Sequence, residues 1–212
     1  MSAIIQKLHE LSKLNVTLPI SNTPVEINKI NLDLQSKFEQ FATNVDNELQ
    51  SSMQYLEFIN RHIRKEVGGD VDFLDKLFIL QQWHNDLKTK PIKHEFSPIS
   101  IKDLTLKING ADFLFKFELP SIVKDLAFLK YILDKQSDLA SVDVLFYFTF
   151  RNLQSVTIDN EMLEVSDIPL AETLFKLLDI NKVGSINKHI DTALKPIESV
   201  RNLEVDARVF FT

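Results

Sequence analysis

The tetrapeptide Trp83-His84-Asn85-Asp86 closes the stretch FLDKLFILQQWHND and brings an aromatic wall, a base and a carboxylate within four positions. Such a set could support general acid–base chemistry if the acid oriented the imidazole. Helical geometry forbids that pairing, because His84 and Asp86 point roughly 200° apart. Trp83 is then expected at the rim of a buried stripe, with its indole N–H on solvent or a backbone carbonyl. That makes it the first candidate for a partner contact.

His62 and Glu66 have the i, i+4 spacing that metal ligands can use. No third ligand stands at a recognisable distance, and Arg61, Arg64 and Lys65 would repel a cation, so a solvated helix pair is expected. In GGDVDFLD the acids mimic the start of an EF-hand loop. Its fifth position is Leu74 and its sixth is Asp75, where the loop needs an oxygen ligand and a glycine. Asp70 or Asp72 is expected instead to cap a helix, with Asp75 in its first turn. There is no Walker loop, no G-x-S-x-G elbow and no H-E-x-x-H, and the four glycines are scattered. The residues thus nominate no catalytic group, no cofactor-binding group, no metal ligand and no cofactor, and a non-enzyme is expected.

Composition narrows the classes further. A net charge of −6 argues against nucleic-acid binding, as does the lack of a basic stripe with interleaved aromatics. Sixteen Phe against one Trp and three Tyr suit dry cores and interfaces better than sugar or base recognition. Cysteine is absent, which excludes disulfides, thiolate nucleophiles and cysteine metal sites. The first residues do not resemble a signal peptide, and no stretch is long enough to span a bilayer, so a protein used inside a cell is expected.

Periodicity predicts the elements that would position these residues. Ile4, Leu8 and Leu11 predict a short amphipathic helix. Two β-leaning runs flank Ser21-Asn22-Thr23-Pro24 and predict a hairpin. From Phe38 to Ile63 the apolar residues step by three or four, giving one long helix or two broken between Thr43 and Asp46, ended by Gly68-Gly69. Phe73, Leu77, Leu80 and Leu87 form the buried face of the next helix, which stops before Pro91. KTKPIKHEFSP then reads as a hinge.

Asn109-Gly110 predicts a type I′ hairpin pairing Ile108 with Ala111, Leu106 with Phe113 and Leu104 with Phe115. A bulge or strand end falls at Lys102-Asp103. A helix starts from Pro120-Ser121, whereas 142–154 reads two ways: alternation favours a strand, while Val142, Phe146, Phe150 and Leu153 fit a helix capped by Ser141, the preferred reading. Phe146 and Phe150 join Trp83 as candidate partner contacts. A strand near Val156–Ile158, helices near 171–178 and 186–194, and a β-like ARVFFT tail complete the chain. The expected fold class is α+β. A helix-rich region with a small hairpin occupies 1–90, and a mixed region built on the Asn-Gly hairpin occupies 91–212, with one continuous domain as the alternative.

Four segments carry a resemblance. They are VTLPISNTPVEINKINLDLQSKF, the Asp75-Lys76 pair heading LFIL, FRNLQSVTIDNEMLEVSDIPLAETLFKLLDINKVGSINKHI, and the terminal VDARVFFT. In this order they resemble the T-even-type phage baseplate hub assembly proteins. The chain departs from that pattern in having Gln81-Gln82-Trp83 where a basic residue is usual. The resemblance implies a non-enzymatic protein that helps build the hub of a contractile-tail baseplate, as a chaperone-like factor or a minor hub subunit. Its partners would be other baseplate hub proteins, with no nucleic acid and no membrane, and self-association into a homo-oligomer left open. It would work in the host cytoplasm during virion assembly or remain in the virion baseplate. Two other classes stay open: a helical adaptor unrelated to phages, and a small enzyme whose His62, His84, His94 and Asp86 meet only in three dimensions.

Overall fold

A computed structural model describes residues 3–42, 47–88, 90–135 and 139–205. It has an α+β fold of helices and two small antiparallel sheets. The chain divides into two compact units, Met1–Pro98 with Ser199–Thr212, and Ile99–Glu198. The division falls at Pro98/Ile99 rather than at the expected 90/91, and the chain returns to its first unit from Ser199.

In the first unit, α1 (Ala3–Leu11) leads into β1 (Lys13–Thr17) and β2 (Pro24–Asn28), which pair antiparallel from Lys13↔Asn28 to Thr17↔Pro24. The expected turn is present: Leu18 N–H donates to Thr23 O at 2.9 Å, and Asn22 takes φ 53°, a left-handed value that Asn tolerates. Beyond the hairpin the two-helix alternative holds, as α2 (Leu32–Ala42) and α3 (Glu48–Val67), with the break on residues outside the described ones. Asn47 caps α3, its side-chain oxygen accepting from Leu49 N at 2.9 Å. Gly68 ends it at φ 79°, its N–H bonded to Arg64 O.

Asp72 caps α4 (Phe73–Leu87) by accepting from Leu74 N at 2.8 Å. Phe73, Leu74, Leu77, Ile79 and Leu80 are buried, each contributing on the order of 1.5–3 kcal/mol by apolar burial. Leu87, expected on the same face, is 40% exposed because α4 ends there and the chain turns away. The segment read as a hinge ends at the division between the units, Pro98/Ile99, and as far as His94 it is strapped back along the helix. Asn85 makes a two-way amide pair with Ile92, donating to its carbonyl at 2.9 Å and accepting its N–H at 2.8 Å. His94 N–H donates to Gln81 Oε1 at 3.1 Å. Side-chain amides thus stand in for the missing backbone partners of an irregular segment.

The second unit holds a four-stranded meander in the order β3-β4-β5-β6. Strands β3 (Leu104–Ile108) and β4 (Ala111–Phe117) pair as expected, Ile108↔Ala111, Leu106↔Phe113 and Leu104↔Phe115, around Asn109 and Gly110 at φ 50° and 91°. Lys102-Asp103 lies just before the strand, and the bulge occurs at Lys116/Phe117, where β4 meets β5 (Leu153–Ile158). A second hairpin, to β6 (Glu161–Glu164), turns on Asp159 and Asn160, both with positive φ.

Helices α5 (Ile122–Lys135), α6 (Ser141–Phe150), α7 (Ile168–Leu177) and α8 (Ile180–Leu194) accompany the sheet, followed by a 3₁₀ turn, Lys195–Ile197. The N-cap of α6 is Ala140 rather than Ser141, and the Asp143 carboxylate accepts from Ala140 N at 3.1 Å. The final helix, α9 (Glu198–Val205), runs into the first unit, an element that sequence periodicity does not signal. The expected β-like tail, 207–212, lies outside the described residues.

Candidate functional site

Trp83, Phe146 and Phe150 are 1%, 2% and 0% exposed, so all three are corrected from partner contacts to core residues. Phe146 sits at the centre of the second unit's aromatic cluster, 5.7 Å from Phe128, 5.3 Å from Phe150 and 5.4 Å from Phe175 between ring centroids. The physical reason is that these helices bury broad apolar sectors rather than a narrow stripe. Trp83 does meet a backbone carbonyl: its Nε1–H donates to Asn28 O at 3.0 Å. Its neighbours meet different fates. Asp86 pairs with Lys29 at 2.9 Å, and His84 Nδ1 is buried without a hydrogen-bond partner.

Asn28 is the junction that sequence reasoning missed. Glu66 Oε2 accepts its side-chain N–H at 2.7 Å and its backbone N–H at 3.2 Å, while Trp83 binds its carbonyl. The end of β2 is therefore clamped by α3 on one side and α4 on the other. Nothing in local spacing marks Asn28; its partners are 38 and 55 residues away. Glu66 is engaged in this clamp, and no group of three His, Cys, Asp or Glu is placed to hold a metal among the described residues. Asp75 has a similar tertiary task. Rather than only charging a helix start, its carboxylate accepts from Ile20 N at 2.8 Å and Ser21 N at 3.0 Å, tying the β1–β2 turn to α4.

Above the clamp lies a cleft of about 790 Å³, walled by α1, the end of β2, α2 and α3. Ile5, Leu8 and Phe58 give it apolar walls, and Lys29, Lys37, Arg61 and Lys65 line it as cations. His62 also lines it, stacked on Phe58 with rings 5° from parallel, and 5.8 Å from the Trp83 ring. Burial lowers the His62 pKa; Glu66 opposes that, while Lys65 and Lys37 reinforce it. The imidazole is accordingly neutral near pH 7, and its buried Nε2 makes no hydrogen bond. His94 takes no part in this site: its ring packs edge-on against Phe96 at 4.9 Å. The cleft can bind by contact and charge.

A second polar cluster lies in the other unit. The Glu172 carboxylate receives Tyr131 Oη–H at 2.8 Å, and ion pairs from Lys135 and, at 2.9 Å, from Lys176. Burial alone would raise the Glu172 pKa, but the hydrogen bonds from Lys135, Lys176 and Tyr131 outweigh it and bring it to about 2. Burial, with the bond to Glu172, pushes Tyr131 up to about 12. A depressed carboxyl adds stability above its unfolded value near 4.5 and loses it as pH falls toward about 2. Glu172→Gln is therefore expected to lower the unfolding midpoint at pH 7, with the gap to wild type closing below about pH 3. Urea titrations at a series of pH values check this; a gap independent of pH would refute it.

No family model matches the chain, and neither the curated proteins nor the solved structures compared with it include a match.

Proposed function

We propose that this protein is a non-enzymatic component of phage tail baseplate-hub assembly, acting through protein–protein contacts as a chaperone-like factor or a minor hub subunit. The four resembling sequence segments suggest the hub, and one structural observation supports the contact role. Helix α1 is amphipathic, yet its apolar residues face solvent: Ile4, Leu8 and Leu11 are 73%, 60% and 64% exposed. A surface helix ordinarily buries its apolar stripe against its own fold. An uncovered one beside a cleft is the mark of a surface that another molecule completes.

The expected result is that the protein co-purifies with baseplate hub proteins expressed beside it. Retention of none of them under gentle conditions would overturn the reading. Mass spectrometry of purified virions distinguishes the two roles, since a transient factor leaves the particle and a subunit stays. Action in the host cytoplasm during assembly, and self-association as a further contact, belong to the same proposal. The enzyme alternative gains no comparable support, because the His62 ring stacks on Phe58, the His94 ring packs on Phe96 and Asp86 pairs with Lys29.

A further inference from the structure

We propose that the cleft between α1 and α3 is the docking site for an acidic, apolar-faced helical segment of a partner protein. This names the surface and the partner chemistry for the assembly role, and rests on that reading only for the partner being a hub protein.

Three observations converge. The chain is acidic overall at −6, yet this cleft is lined by four cations, of which Lys29, Lys37 and Arg61 pair with Asp86, Asp33 and Glu57. Lys65 makes no ion pair among the described residues, so its charge is open to a newcomer. The apolar wall contributed by Leu8 is 60% exposed, and His62 Nε2 presents a buried polar atom with no hydrogen bond. An apolar stripe flanked by acids suits both the uncovered Leu8 and the open charge of Lys65. It covers Leu8, pairs with Lys65 and exchanges solvent-screened carboxylates for stronger local ones.

Other occupants fit less well. The volume of about 790 Å³ accepts the side chains of a segment rather than a folded domain. A nucleic acid or an anionic membrane would bring a dense anion array onto a rim where Lys37 already pairs with Asp33 at 2.6 Å and Arg61 with Glu57 at 2.5 Å. A helix places its acids singly and can avoid those carboxylates. A second copy docked by two-fold symmetry would set the same basic rim against itself.

The test uses the full chain and a labelled 18-residue helical peptide with Leu and Ala on one face and Glu on the other, beside a counterpart with Lys for Glu. Anisotropy measures binding, and emission of Trp83, the sole tryptophan, reports from beneath the cleft. The Glu peptide is expected to bind saturably and more weakly as salt rises, while the Lys peptide does not bind. The double variant Lys37→Glu/Lys65→Glu is expected to weaken binding roughly tenfold or more. Leu8→Glu should weaken it comparably, all three positions being exposed and the fold verified by circular dichroism.

Equal binding of both peptides, binding of neither, or unchanged affinity in the variants would each overturn the assignment. So would binding to phosphatidylglycerol vesicles, or self-association abolished by Leu8→Glu, in place of peptide binding. Hub co-purification without peptide binding removes the cleft assignment and leaves the assembly role standing. Peptide binding without hub co-purification does the reverse.

Discussion

Lys76→Met is expected to destabilise the first unit by about 3–5 kcal/mol. Lys76 and Glu204 form an ion pair in which both side chains are 0% exposed, and the ammonium also lies 5.2 Å from the centre of the Phe73 ring. Methionine matches the length and apolar stem of lysine, so packing is nearly retained. What is lost is the ammonium beside a carboxylate that cannot reach water. Desolvation of that carboxylate, no longer offset by the ammonium, dominates the effect.

The double variant Lys76→Met/Glu204→Leu removes both charges and should recover most of the loss, since well-packed apolar replacements of buried pairs are often neutral or better. Urea unfolding followed by Trp83 emission reads this directly, because the only tryptophan lies in this unit. A wild-type midpoint for Lys76→Met, or a double variant no better than the single one, would refute the argument.

Asp125→Ala should act comparably in the second unit, again by about 3–5 kcal/mol. The Arg151 guanidinium, 2% exposed at its side chain, contacts both Asp125 oxygens at 3.2 and 3.3 Å and donates to Tyr147 Oη at 2.7 Å. Tyr147 in turn donates to Asp125 at 3.2 Å, so the three groups close a small network. Arg151 also lies 4.9 Å from the Tyr147 ring centre and 5.0 Å from that of Phe148. Alanine at 125 leaves a guanidinium that can never deprotonate inside the unit.

Tyr147→Phe keeps both charges and loses only the hydroxyl, so about 1–3 kcal/mol is expected. The order of the two variants is the discriminating result. Thermal unfolding followed by far-ultraviolet circular dichroism should place Asp125→Ala well below Tyr147→Phe; the reverse order would mean that the hydroxyl, not the charge pair, holds the network.

These buried charges also show where sequence reasoning stops. The Asn109-Gly110 hairpin is legible to the residue, because turn chemistry and alternation are local and agree. The Asp159-Asn160 hairpin carries the same left-handed turn but escapes such reasoning, since β6 reads EMLE with only Leu163 half-buried and has no alternation to signal it. The amphipathic α1 is legible, whereas its exposure is not: periodicity reports an apolar face and says nothing of whether the fold covers it.

In the sequence Asp75 and Lys76 read as neighbours at a helix start. Their structural partners lie 55 and 128 residues away along the chain, beyond any spacing rule. Trp83 reads as a rim residue because a near-continuous apolar helix gives periodicity little to distinguish its faces.

The return of α9 to the first unit has a consequence for synthesis on the ribosome. Lys76 emerges 128 residues before Glu204, which at about 5–20 residues per second is roughly 6–26 s. During that interval the second unit, an uninterrupted stretch from Ile99 to Glu198, is translated in full, while the first unit lacks its last helix. The nascent α4 must keep its ammonium hydrated until the carboxylate arrives. The unit begun earlier is thus completed later, and a message truncated before α9 would yield a finished second unit joined to an unfinished first.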